Sequence, residues 1–142
     1  MSTKLQKDDL SIAVLSGGKS SRMNYEDKGL IEFNGFSVLS RIIEISNKYS
    51  NDVFIIANNN LKEYEKLHPY LYSDILDNYQ GPLSGIYTAL CKCKNKYVII
   101  LPSDGPFVKE DYFEKFINYE IDQHILVTKT GDRLQPVYAR LD

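Results

Sequence analysis

Cysteine and histidine are scarce in this 142-residue sequence. Cys91 and Cys93 are its only cysteines, and residues two positions apart on a predicted helix do not face each other. With no further cysteine nearby, we expect neither a disulfide nor a soft-metal site. His68 and His124 are isolated in the sequence, so we interpret each as structural or solvated rather than catalytic.

Long apolar runs and an excess of one charge are also missing. No segment approaches the roughly 18 consecutive apolar residues that a membrane-spanning helix needs, and the first ten residues are too polar for a secretory signal. The net charge of −2 gives no indication of a nucleic-acid partner. We therefore expect a cytoplasmic protein with no membrane or nucleic-acid partner. Residues 1–142 should form a single domain, with a monomer favoured over an oligomer.

Strand-like and helix-like segments alternate along the chain. This alternation predicts an α/β fold of three layers, with a mostly parallel sheet and helices on both faces. We predict strands at residues 11–15, 53–57, 74–76 and 97–101, and an antiparallel hairpin at 124–129 and 134–139. We predict helices at residues 37–49, 61–67, 82–94 and around 112–117. In the third helix, the predicted core side is Leu83, Ile86, Tyr87 and Leu90.

Glycines, hydroxyls and cations follow the first predicted strand, in the sequence L-S-G-G-K-S-S-R-M at residues 15–23 and D-K at 27–28. Gly17 and Gly18 can offer backbone N–H groups to an anion, while Arg22 and Lys28 can neutralise a triphosphate. The spacings of the two commoner phosphate-binding loops, G-x-x-x-x-G-K-[ST] and G-x-G-x-x-G, are both absent. The loop nevertheless predicts a nucleotide-binding site, and the alternative is a Gly-Gly turn with solvated cations.

The remaining polar candidates follow the other predicted strands. Open α/β sheets bind ligands beyond the carboxyl ends of their strands, where Leu15 and Ser16 could support the base and ribose. Asp104 follows a buried strand and lies between two prolines, so we predict that it binds Mg2+, which prefers carboxylate oxygens. The alternative is that Asp104 simply forms a turn with the glycine after it.

Four motifs in order make the chain resemble the molybdenum cofactor guanylyltransferases. The first is the loop at residues 15–28, with Ser16 where the family has alanine and Asn24 where it has glycine. The others are G-P-L-S-G at 81–85, L-P-S-D-G-P-F at 101–107 and Q-P-V at 135–137. The resemblance implies a Rossmann-like nucleotidyltransferase fold, GTP as donor, Mg2+ as cofactor and molybdopterin as acceptor.

The resemblance also implies roles for two further residues. It implies that Asp77 contacts the nucleotide and that Asn58, in an asparagine-rich turn after the second strand, contacts the base. Ile56 is a departure, because it occupies a position that can be polar in the family. The catalytic residues expected are therefore Arg22, Lys28 and Asp104, and no nucleophilic triad is required, since a phosphate monoester is itself an anionic nucleophile.

Two alternatives stay open from the sequence. One is a related nucleotidyltransferase that uses CTP or a sugar phosphate, and the other is a non-catalytic nucleotide-binding relative. The second is favoured by length, because the sequence ends at Asp142. Similar proteins usually continue through another helical segment and an N-x-N-x-x-E-like motif.

Overall fold

The computed structural model describes residues 5–16, 32–33, 35–58, 61–75, 82–103, 110–118, 125–130 and 133–141. The strands in these ranges are β1 (Leu10–Leu15), β2 (Glu32–Phe33), β3 (Phe36–Ser37), β4 (Asp52–Ile56), β5 (Leu71–Tyr72), β6 (Tyr97–Pro102), β7 (Ile125–Thr130) and β8 (Arg133–Leu141). The helices are α1 (Val38–Ser46), α2 (Leu61–Leu67), α3 (Pro82–Lys92) and α4 (Glu110–Asn118), preceded by a 3-10 turn at Lys7–Asp9. No helix in the described ranges is long and apolar enough to cross a membrane.

Six strands form the main sheet in the order β5-β4-β1-β6-β8-β7. The pairs β5–β4, β4–β1 and β1–β6 are parallel, whereas β8 is antiparallel to both of its neighbours. Five of the six strands therefore run in one direction, and the predicted mostly parallel sheet is confirmed. In register, Leu15 lies opposite both Ile56 and Pro102, so the central strands end at the same level.

Apolar side chains cover both faces of the sheet, because neighbouring residues of a strand point to opposite faces. Ile12, Val14 and Ile55 pack on one face with helices α1, α2 and α4. Ala13, Phe54 and Ile100 pack on the other face with α3. The three-layer arrangement expected from the sequence is therefore present.

A short hairpin of β2 and β3 precedes α1 and was not predicted. Gly35 turns the chain with φ +85°, a left-handed conformation that glycine adopts without a Cβ clash. Ser37 then caps α1, its Oγ accepting a hydrogen bond from the Ser40 backbone N–H at 3.0 Å. The predicted helix at residues 37–49 is thus confirmed with shorter bounds.

Helix α3 lies on the sheet by a different face from the one predicted. Leu83, Tyr87 and Leu90 were assigned to its core side, yet all three are exposed, and Leu83 is 72% exposed. Of the predicted core residues, only Ile86 packs against the core. The buried positions hold small side chains, namely Ser84, Gly85, Thr88 and Ala89.

The physical reason is close approach of the helix to the sheet. A Cβ atom placed on Gly85 would lie 3.1 Å from Cδ2 of Leu15, which is tighter than ordinary van der Waals contact. A helix with leucine and tyrosine on its inner side could not approach the sheet so closely. The apolar periodicity of the sequence therefore indicated the wrong side of α3.

Strand β5 begins three residues before the strand predicted at residues 74–76. The backbone N–H of Ile55 donates to Tyr70 O and that of Ala57 to Tyr72 O, each at 2.9 Å. Residues 73–75 lie beyond this pairing and leave the sheet. The predicted hairpin of β7 and β8 is confirmed, with a register shift between Val127 and Thr128.

Arg140 is buried in β8, although arginine is rarely found in protein interiors. Its guanidinium donates to Phe116 O at 2.7 Å and lies over the Tyr97 ring, 5.3 Å from the ring centroid. These contacts join β8, α4 and β6 on one side of the sheet. Nothing in the sequence pattern distinguished this arginine from an exposed one.

The burial of α3 predicts unequal responses at two of its positions. Ala89→Leu should lower the free energy of unfolding by about 1–3 kcal/mol, because extra methylenes overpack a close helix–sheet contact. Leu83→Gln should change it by less than about 0.5 kcal/mol, since that side chain is mostly in solvent. Urea unfolding measures both, and a larger loss for Leu83→Gln would contradict this orientation of α3.

Candidate functional site

The carboxyl ends of β4, β1 and β6 stay hydrogen-bonded just beyond the strands. The backbone N–H of Ser16 donates to Ile56 O at 2.8 Å, and that of Ser103 donates to Leu15 O at 2.9 Å. Residues 16, 57 and 103 are therefore held side by side at one edge of the sheet. This is where open α/β sheets bind ligands, and Leu15, Ser16 and Asn58 all lie there as predicted.

The other predicted site residues lie outside the described residues. The chain leaves β1 through Ser16, β6 through Ser103 and β5 through residues 73–75, so the described residues that lead into these segments lie at this edge. Their roles remain predictions. They are Gly17, Gly18, Arg22, Lys28, Asp77 and Asp104.

Asn58 and Asp74 form a two-bond bridge between the chain after β4 and the chain after β5. The side-chain amide Nδ2 of Asn58 donates to Asp74 Oδ2 at 2.7 Å. In return, the backbone N–H of Asp74 donates to Asn58 Oδ1 at 2.9 Å. Both ends of the Asn58 amide are thus engaged by Asp74, and Asn58 acts here by holding Asp74 in place.

Sequence reasoning missed Asp74 because it placed this residue inside a strand. Once β5 is known to end at Tyr72, Asp74 becomes a carboxylate two residues past the carboxyl end of a parallel strand. That is the position at which functional residues of such sheets concentrate. A sequence prediction that ended β5 at Tyr72 would have identified Asp74 as a candidate site residue.

Three buried polar atoms at this edge have no hydrogen-bond partner in the structure as described. They are the hydroxyls of Ser16 and Ser84 and the carboxylate oxygen Oδ1 of Asp74. A buried polar group without a partner costs free energy, and such groups concentrate where a ligand or water completes them. Among the described residues, two hydroxyls and one carboxylate oxygen at this edge therefore have no protein partner.

Helix α3 connects these residues into a closed circuit of contacts. The backbone N–H of Ile75 donates to Thr88 Oγ1 at 3.0 Å, which joins the chain after β5 to the helix. Gly85 of the same helix lies so near the end of β1 that a Cβ built on it would be 3.1 Å from Cδ2 of Leu15. The circuit thus runs from β1 through β4 and β5 to α3 and returns to β1.

The described histidine and cysteines have the following surroundings. His68 is buried with Nε2 2.6 Å from Val53 O, near the amino end of β4, which confirms its structural interpretation. Cys91 and Cys93 are free, and burial raises the pKa of the Cys93 thiol, which disfavours the reactive thiolate. His124 lies outside the described residues. Within those residues, no three histidine, cysteine or carboxylate side chains group together as a metal site.

A family model described as "MobA-like NTP transferase domain" matches residues 12–142 of this chain. The chain belongs to this family. The match includes β4, β5, β6 and all of β1 except its first two residues, together with every residue of the contact circuit described above.

Relatives of known name agree with the family. The chain is 40% identical over 129 residues to a "Probable molybdenum cofactor guanylyltransferase" of Clostridium perfringens, covering 91% of this chain and 64% of that protein. It is 35% identical over 136 residues to the "Molybdenum cofactor guanylyltransferase" of Vibrio campbellii, covering 95% and 69% of the two chains. The chain thus spans less than two thirds of the length of the Clostridium relative.

Solved structures agree with the fold. A crystal structure of an Aquifex aeolicus protein superposes with a TM-score of 0.73 at 24% identity, covering 96% of this chain and 71% of that one. A Mycobacterium tuberculosis protein crystallised with manganese superposes with a TM-score of 0.69 at 13% identity, covering 94% and 70%. At these identities, the superpositions show a shared α/β architecture.

The Asn58–Asp74 bridge predicts a salt-dependent response to added charge. Asn58→Asp should destabilise the chain at pH 7, by about 1 kcal/mol or less, because it places a second negative charge against Asp74 at a partly solvated edge. Added salt screens the repulsion between the two charges.

Asn58→Ala is the matched control, since it removes the same amide without adding charge. Urea unfolding of both variants at low and at high salt gives the comparison. The free-energy gap between them should shrink at high salt, and a gap that is equal at both salt concentrations would contradict the bridge.

Proposed function

We propose that this chain transfers GMP from GTP to the terminal phosphate of molybdopterin and releases pyrophosphate. The observation that carries the proposal is its 40% identity, over 91% of the chain, to the "Probable molybdenum cofactor guanylyltransferase" of Clostridium perfringens. The partly buried carboxylate of Asp74 supports guanine in particular.

Asp74 offers an acceptor where the base of a nucleotide would lie. Its Oδ2 is engaged by Asn58, while Oδ1 is buried without a described partner. The Watson–Crick edge of guanine carries N–H donors at N1 and at the exocyclic amine, and an ionised carboxylate can only accept. The same edge of adenine presents an acceptor at N1, so the arrangement favours guanine.

The triphosphate would lie along the segment that follows Ser16. There Gly17 and Gly18 supply backbone donors, and Arg22 and Lys28 supply positive charge that offsets the charge of the departing pyrophosphate. Ser16 lies half-buried at the start of this segment, and its hydroxyl has no hydrogen-bond partner among the described residues.

Asp104 would bind Mg2+ beside the phosphates. Its neighbour Ser103 donates a backbone hydrogen bond to Leu15, the residue before Ser16, so the described chain ends beside these two strands at Ser16 and Ser103. A carboxylate at this place suits a hard divalent cation, which when bound neutralises phosphate charge. Asp104 and the phosphate segment would thus act from adjacent strand ends.

The reaction itself needs alignment more than chemical activation. An oxygen of the molybdopterin phosphate forms a bond to the α-phosphorus of GTP, and the bond from that phosphorus to the bridging oxygen breaks. The chain's part is to hold both anions in line and to offset their repulsion, with no covalent intermediate on a side chain.

Measurements of nucleotide binding can separate the proposed phosphate contact of Lys28 from the proposed metal binding of Asp104. Calorimetric titration with GTP, CTP and ATP, each with and without Mg2+, should show Mg2+-assisted selectivity for GTP. Asp104→Asn should remove the Mg2+ assistance, whereas Lys28→Ala should weaken GTP binding even without metal, by about tenfold or more for a charge-assisted contact.

Turnover is then measured as pyrophosphate released from GTP in the presence of molybdopterin. Asp104→Asn should lower the rate by about a hundredfold or more, in keeping with loss of an electrostatic stabiliser. Preferred binding of CTP, or GTP binding without pyrophosphate release, would contradict the proposed activity.

Base selection gives a separate test of Asp74. ITP keeps the guanine N1–H and lacks the exocyclic amine, so the chain should prefer GTP over ITP by about tenfold or more for a hydrogen bond to a charged acceptor. Asp74→Asn should abolish this preference. The introduced amide oxygen would keep the bond from Asn58, which leaves an NH2 donor facing the donors of the base.

Asp77→Asn is the matched comparison, because the resemblance assigned the nucleotide contact to Asp77. Loss of the GTP preference in Asp77→Asn, with Asp74→Asn like the unmodified chain, would return the role to Asp77. Equal binding of GTP and ITP by the unmodified chain would contradict the base contact altogether.

A further inference from the structure

Thr88 joins the chain that carries Asp74 to helix α3. Its side chain is fully buried, and its Oγ1 accepts a hydrogen bond from the Ile75 backbone N–H at 3.0 Å. The same hydroxyl donates to Ser84 O, one turn earlier in the helix, also at 3.0 Å. The Thr88 hydroxyl thus accepts one hydrogen bond and donates another, and the accepted bond joins the loop after β5 to helix α3.

The tether matters because little else in the described structure holds residue 75. The Ile75 side chain is 45% exposed, so burial of that side chain does not anchor the loop. The pairing between β5 and β4 ends at Tyr72, so residues 73–75 are not paired with β4. Hydrogen bonds must therefore set the position of this backbone.

Asp74 lies between two fixed points. On one side its carboxylate and backbone N–H are held by Asn58. On the other side, the next peptide N–H is held by Thr88. Two restraints on consecutive residues limit the directions in which the carboxylate oxygen Oδ1 can face, and groups held in position in advance bind with less loss of entropy.

We propose that Thr88 is a positioning residue that aligns the Asp74 carboxylate and so sets the base selectivity of the site. The inference rests on the proposed binding of the guanine base by Asp74. Thr88 itself touches no base, since it acts through the backbone of Ile75. Its removal should affect discrimination between bases more than binding of the phosphates.

The test compares the GTP and ITP dissociation constants of the full chain by calorimetry. Thr88→Val keeps the size and branching of the side chain and removes the hydroxyl. It should lower the preference for GTP over ITP by about three- to tenfold, the effect expected for one hydrogen bond. Thr88→Ser restores a hydroxyl and should recover most of that preference.

Ser46→Ala is the structural control. Ser46 is also buried in a helix, and its Oγ donates to Ile42 O at 2.7 Å, four residues earlier, as Thr88 does to Ser84 O. Both Ser46→Ala and Thr88→Val should lower the melting temperature, but only Thr88→Val should reduce the GTP preference. If Thr88→Val acted only by lowering stability, both variants would have lower melting temperatures and the same GTP preference.

Ile75→Pro tests the same bond from the other side and remains informative if Thr88→Val does not fold. It removes the donor N–H and leaves the buried face of α3 intact, so it should lower the GTP preference by a similar factor. Retained preference in folded Thr88→Val, or in Ile75→Pro, while Asp74→Asn loses it would overturn the role of Thr88 alone. Absence of any GTP preference in the unmodified chain would overturn the base contact as well.

Discussion

The parallel alignment of β4, β1 and β6 is the constraint on which the site depends. Leu15 lies in register with Ile56 and Pro102, and the hydrogen bonds continue one residue past the strands at Ser16 and Ser103. Because the three strands end at one level, the chain after each strand emerges at the same edge. Residues far apart in sequence, such as Ser16 and Ser103, are brought together there by backbone hydrogen bonds between neighbouring strands.

Close packing of α3 is the second condition. Its buried side carries Ser84, Gly85, Thr88 and Ala89, and small residues let the helix backbone approach Leu15 at the end of β1. The approach brings the Thr88 hydroxyl within 3.0 Å of the loop after β5. A helix held further away by large side chains could not make that bond. The same small residues therefore serve the packing of the sheet and the shape of its edge.

Much of the fold could be predicted from the sequence because strands buried on both faces read as continuous apolar runs. The strands at Leu10–Leu15, Asp52–Ile56 and Tyr97–Pro102 were each found within one residue. The side of α3 that faces the sheet could not be predicted in this way. Leu83, Tyr87 and Leu90 form an apolar stripe at helical spacing, yet the structure exposes them, because the distance between helix and sheet is a property of both partners. Asp74 was missed for a related reason, since a two-residue strand gives too weak a pattern to show where it ends.

The sequence by itself determined the alternation of strands and helices, the family and the glycine-rich loop after β1, because these depend on local pattern and motif order. Only the tertiary structure decided that both ends of the Asn58 amide bond to Asp74, and that Thr88 reaches the chain beside it. Hydrogen bonds such as Asn58–Asp74 and Ile75–Thr88 join residues 16 and 13 positions apart. Their formation depends on how the strands and α3 pack, and no local pattern encodes a distance between separate elements.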